Sequence, residues 1–148
     1  MYTIGIINIA GTIKASYIEH LKKNQFQVVE LEKDQLDESE LLSADGVILY
    51  DEDQDNVAEM CSVIIKIKEQ FPKKFIWTLS KQTQETNRII CLQLGADGNL
   101  HNDYSPDEFY LLLRNILSHK EDRNNYFSGV DKLTDMDEEF GQVFKLMP

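Results

Sequence analysis

Two periods alternate along this chain, one of buried strands and one of amphipathic helices. Ile4 to Ile9 is apolar on both faces, as a strand inside a parallel sheet should be. Ile13, Tyr17 and Leu21 then recur at helical spacing, with Lys14, Glu19 and Lys22 on the opposite side. Phe26 to Leu31 reads as a second strand and Asp37 to Ser43 as a short helix. Gly46-Val47-Ile48-Leu49-Tyr50 is a buried strand that ends abruptly in the acidic run Asp51 to Asp55. Val57, Met60, Ile64, Ile67 and Phe71 mark a helix that stops before Pro72. Lys74 to Leu79 is a fourth strand, and Thr83 to Leu94 a helix with Gly95 at its cap. Asn99 to His101 gives a last short strand. Ser105-Pro106-Asp107-Glu108 then forms a capping box with proline at the first helical position, leading into Phe109, Leu112, Leu113, Ile116 and Leu117.

Strands alternating with helices call for an α/β, doubly wound parallel sheet covered on both faces. Right-handed crossovers restrict the topology, and the flavodoxin-like strand order 2-1-3-4-5 is the expected one. A site on such a sheet lies at the carboxyl ends of the strands: Asn8 to Thr12, Tyr50 to Asp55, Ser80 to Gln82 and His101 to Tyr104. Trp77 falls on the inner strand pattern and reads as core.

The 148 residues suit one domain of ordinary size with an appendage, and 42% apolar content is globular. No segment has the apolar length of a membrane span, and the first residues read as a strand, so the expectation is a cytoplasmic protein without membrane contact. A net charge of −11 argues against nucleic-acid binding by this chain, because phosphate contacts need a basic surface. Cys61 and Cys91 lie in separate helices without metal spacing and read as two buried thiols rather than a disulfide or redox pair.

The run Gly95-Ala96-Asp97, then Asn102-Asp103-Tyr104-Ser105-Pro106, resembles the end of a bacterial response-regulator receiver domain of the OmpR/PhoB kind. There a Gly-Ala-Asp turn precedes the last strand, Lys-Pro-aromatic follows it, and Ser-Pro opens the final helix. The match covers residues 3 to 119 and is most specific from Ser80 to Pro106, where it needs no gap. It implies a CheY-like fold and, in ordinary members, phosphoryl transfer to a carboxylate at the end of the third strand. That transfer uses Mg²⁺ held by an acidic pair after the first strand. A lysine and a Ser/Thr hydroxyl contact the phosphoryl oxygens. Here the acidic pair falls on Asn8 and Ile9, and the lysine on Asn102. The nucleophile's place falls on Tyr50, with Asp51 one residue late. A one-residue slip turns a side chain to the other face of a strand. Ser80 keeps the hydroxyl.

The resemblance therefore implies an atypical receiver, not an enzyme and without metal or cofactor, that regulates a bacterial transcription factor without phosphorylation. Its control would be dimerisation through the last helix, binding of a partner protein, or a small ligand in the vacated pocket. The family's self-associating face carries over to Arg88 and Glu108, with Leu112 where the family has an arginine. Two other readings stay open: a flavodoxin-like domain binding a nucleotide or flavin, and a free-standing signalling adaptor. The first lacks a glycine-rich phosphate loop, since Asn8 to Thr12 holds one glycine and no lysine. Asp51-x-Asp53-x-Asp55 begins like a calcium loop but has Asn56 and Ser62 where glycine and glutamate are needed. His20, His101 and His119 share no motif and read as surface or strand-end residues. The expected receiver-like domain is 1–120. Residues 121–148, with seven acids against three bases, read as an acidic linker and strand-like tail leading to a DNA-binding domain not in this chain.

Overall fold

The computed structural model describes residues 1–52, 56–81 and 85–133, with side chains to residue 119. Five parallel strands lie in the order β2-β1-β3-β4-β5. They are β1 (Thr3–Ala10), β2 (Gln27–Leu31), β3 (Gly46–Asp51), β4 (Phe75–Ser80) and β5 (Gly98–His101). Between them run α1 (Ala15–Lys23), α2 (Glu38–Ser43), α3 (Val57–Gln70) and α4 (Glu85–Leu94), and α5 (Pro106–Leu133) follows. This is the doubly wound, flavodoxin-like sheet that the alternating pattern predicts. By its contacts the chain divides into a unit Met1–Leu111, which holds the whole sheet, and a unit Leu112–Pro148.

Side-chain alternation sorts β3 onto two faces. Val47 and Leu49 join Ile7, Ile9, Leu41, Met60, Val63, Ile64, Ile67 and Ile76 in one apolar cluster beneath α2, α3 and α4. Ile48 and Tyr50 face the other way, and both are fully buried. The only side chain in β3 that carries charge, Asp51, is also buried, which sets up the question of what holds it.

The strands start under tight control. Thr3 N–H donates to the Asp45 carboxylate at 2.7 Å, while Asp45 N–H returns a bond to the Thr3 carbonyl at 2.8 Å. The same clasp recurs at the far side of the sheet: Ile76 N–H donates to Asp97 at 2.9 Å, and Asp97 N–H donates to the Ile76 carbonyl at 2.7 Å. Both aspartates sit in the tripeptide Ala-Asp-Gly, at Ala44-Asp45-Gly46 and Ala96-Asp97-Gly98. The glycines leave space for Trp77, whose ring lies against both. Gly95 ends α4 at φ +122°, a left-handed conformation that costs glycine little.

The helix starts follow their sequence signals. At α5, Ser105 N–H donates to Glu108 Oε1 and Glu108 N–H donates to Ser105 Oγ, each at 3.2 Å. At α2, Asp37 accepts from Ser39 N–H at 2.8 Å and from the Ser39 hydroxyl at 2.6 Å. The hydroxyl bond first, then the backbone bonds, hold the Asp37 carboxyl below its ordinary range. Its contribution is therefore complete above the ordinary aspartate range and is lost as pH falls through the lowered folded value. Protection of the Ser39 and Glu40 amides, taken relative to their intrinsic exchange rates at each pH, is expected to fall on acidification over that window, and Asp37→Ala should remove the dependence.

One expectation changes. α5 continues to Leu133, so residues 121–133 are helical where the sequence reads as linker. Asn124-Asn125 and Gly129 each cost only about 0.5–1 kcal/mol in a helix, and extending an existing helix avoids the nucleation penalty. The strand-like tail expected beyond lies in 134–148, outside the described residues.

Candidate functional site

The carboxyl ends of β1, β3, β4 and β5 gather the residues singled out in the sequence, but on two different faces. Asn8 and Tyr50 are register partners on neighbouring strands. Tyr50 is buried, and the Asn102 side-chain amide donates toward its hydroxyl at a long 3.4 Å. Asn102 lies just past β5, where its N–H donates to the Ser80 carbonyl at 3.0 Å. Tyr50 and Asn102 are thus brought together.

Asn8 does local work. Its Oδ1 accepts from Ile13 N–H at 3.2 Å and so closes the turn into α1. The β1–β3 register shifts between Asn8 and Ala10, and Ile9, on the same strand face as Ile7, joins the apolar cluster under α2–α4. Ile9 is therefore core.

Asp51 points to that same face, away from Tyr50, because successive strand residues alternate. Its carboxylate is only 1% exposed and accepts from Asn56 N–H at 2.9 Å and Asn56 Nδ2 at 3.3 Å. It thereby holds the amino end of α3, where backbone donors favour negative charge. A cleft of about 10 Å³, room for one water, lies beside it among Val57, Met60, Thr78, Asn87 and Cys91. Replacing Asp51 by alanine would leave the Asn56 donor unpaired, so a loss of about 1–3 kcal/mol is expected in urea unfolding.

Two oxygens at these strand ends, Ser80 Oγ and Asn102 Oδ1, are buried and have no hydrogen-bond partner among the described residues. Each such atom costs about 1–3 kcal/mol unless a water or ligand meets it.

No motif or periodicity points to the staple across this end of the sheet. Lys14 Nζ donates to the Asn102 carbonyl at 2.7 Å and lies over the Tyr17 ring, 5.4 Å from its centroid. The Tyr17 hydroxyl donates to the Tyr104 carbonyl at 2.7 Å, and its ring stacks on Phe109 at 4.3 Å. Burial, and then the charge of Asp103, raises the Tyr17 hydroxyl above its ordinary value, which keeps it a donor. The β1–α1 and β5–α5 loops are thereby tied together.

The remaining candidates are spread out. Arg88 pairs with Glu85 one turn away, Nε to Oε2 at 3.2 Å, and Glu108 is engaged in the α5 capping box. Leu112 is half-buried, and Leu111 beside it is 48% exposed. An open groove of about 600 Å³ runs along α4 and β5, lined by Arg88, Leu92, Asp97 and His101 among others. His20 meets Asp107 at 3.4 Å and packs edge-on to Tyr110; His101 and His119 are exposed.

With this arrangement the fold is defined as CheY-like. Among solved structures it is similar to a response regulator from Thermotoga maritima, at 19% identity and a TM-score of 0.60, over 79% of this chain and 98% of that one. A CheY-like receiver domain protein from Methanospirillum hungatei matches at 14% identity and a TM-score of 0.62, over 83% and 98%. NtrX from Brucella abortus matches at 15% identity and a TM-score of 0.69, over 86% of this chain but 29% of its own. At these identities the likeness establishes the fold. No family profile matches the sequence, and no curated protein matches it. Among the described residues, no helix is long and apolar enough to cross a membrane.

Proposed function

We propose that this protein is an atypical receiver module, of the kind found in OmpR/PhoB regulators, that signals without phosphorylation. It regulates a bacterial transcription factor by self-association through its last helix or by contact with a partner protein. DNA contact comes from a domain or partner outside this chain, in keeping with the net charge of −11.

The observation that carries this reading is Tyr50. A buried phenol fills the strand-end place where a phosphoacceptor carboxylate belongs, and its neighbour is an amide, Asn102, in place of a lysine. The nearest carboxylate, Asp51, is turned to the opposite face and committed to α3. The residues also suit Mg²⁺ poorly. Asn8 is engaged by Ile13, Ile9 is core, and among the described residues no three metal-ligating side chains converge. A hard cation requires several oxygen donors. Exposed Leu111 on α5 and Ile89 on α4 support an association role for these helices.

Acetyl phosphate with Mg²⁺ tests the reading directly. Intact mass should stay unchanged after prolonged incubation. Stoichiometric gain of one phosphoryl group, abolished by Asp51→Asn, would overturn it.

A further inference from the structure

α1 turns one stripe of side chains onto the β5–α5 loop, residues 102–105, and onto the start of α5. Lys14, at the amino end of α1, and Tyr17 and His20 within it recur every third residue and so share one side of the helix. Lys14 Nζ donates to the Asn102 carbonyl and the Tyr17 hydroxyl to the Tyr104 carbonyl, each at 2.7 Å. The Tyr17 ring also stacks on Phe109, and His20 meets Asp107 and the edge of Tyr110. Contacts thus advance along α1 in step with their partners along the chain.

Both donors act on main-chain carbonyls, so they set the path of the loop whatever side chains it carries. The run Asn102-Asp103-Tyr104 has no proline to restrict its own backbone. Its ends are held by the Asn102 N–H bond to the Ser80 carbonyl and by the Ser105–Glu108 cap. Lys14 is exposed, so water competes for its ammonium, whereas the Tyr17 bond is buried and opens only as the loop moves. One bond is reached from outside and the other is sealed beneath it.

We propose that α1 is a latch on the last helix: Lys14 and Tyr17 together hold the β5–α5 loop and the first turn of α5 in one conformation, and their release is the step that frees this helix. The functional meaning of the latch rests on the reading of α5 as the association helix. Lys14 and Tyr17 are positioning residues, acting through the backbone of Asn102 and Tyr104.

The test is residue-resolved amide exchange, by NMR on the full chain, of wild type, Lys14→Met and Tyr17→Phe. Lys14→Met keeps the stem and Tyr17→Phe keeps the stacked ring, so each removes only a donor. Either variant should lower protection about tenfold at Asn102, Ser105 and Phe109 alike. The double variant should lose less than the product of the two single effects, because a latch opens once. Protection at Asp45, Ile76 and Asp97, at the opposite end of the sheet, should hold. Unchanged exchange in both variants, loosening confined to the amide nearest the lost bond, or an equal loss at Ile76 and Asp97 would overturn the latch. Sedimentation of the same samples bears separately on association: a wild-type monomer at every concentration refutes that reading and leaves exchange to decide the latch. Where the wild type associates, both variants should shift its dissociation constant several-fold in the same direction, and an unchanged constant overturns the coupling to α5.

Discussion

Tyr50→Asp, the substitution that writes a phosphoacceptor back into the third strand, should unfold the protein rather than restore phosphoryl transfer. The phenol is 1% exposed, so its loss opens a cavity in the face shared with Ile48 and Trp77. Truncating a buried aromatic costs about 3–5 kcal/mol. A carboxylate without lysine or metal adds several kcal/mol of desolvation, or else takes up a proton. Against a total stability of about 5–15 kcal/mol this leaves little folded protein. Circular dichroism during thermal unfolding would register the loss. Tyr50→Phe is the control: it keeps the buried ring, removes the hydroxyl that Asn102 meets at 3.4 Å, and should cost only about 0.5–1.5 kcal/mol. A well-folded Tyr50→Asp protein that accepts phosphate would mean the pocket is only one residue from working.

The second large effect is expected far from the pocket. A Cβ on Gly46 would lie 2.7 Å from Trp77 Cη2, inside a buried indole that has no free end to move. Overpacking of this kind costs about 1–3 kcal/mol or more, so Gly46→Ala should lower the urea midpoint clearly. Gly98→Ala is the internal comparison, because its Cβ would meet Trp77 Cδ1 at an ordinary 3.4 Å. Its cost should stay within about 0.5 kcal/mol. Equal losses at the two positions would show that the indole does not choose between them.

Much of this fold is written in local pattern. Short continuous apolar runs such as Gly46 to Tyr50, bounded by polar turns, read as strands covered on both sides, and Ser105 to Glu108 spells its own cap. The alternation rule also separates Tyr50 from Asp51 before any coordinates are seen. It does not say what receives Asp51, because the partner of a strand-end side chain depends on tertiary packing. Lys14 reads as a solvent-facing lysine, yet reaches a carbonyl 88 residues away. Helix continuation past Lys120 was obscured by residues that weaken a helix without stopping it.

Reciprocal aspartate bonds at Thr3–Asp45 and Ile76–Asp97 fix strand alignment from the amino ends. The sheet is thus aligned at its amino ends, separately from the Lys14 and Tyr17 contacts that tie the loops at its carboxyl end. Alignment errors, which would invert every buried side chain, are blocked at a distance from the loops where receivers do their chemistry. Substitutions among those loops can then accumulate without dislodging the frame. A chain built this way can lose one mode of control and take on another while its architecture stands.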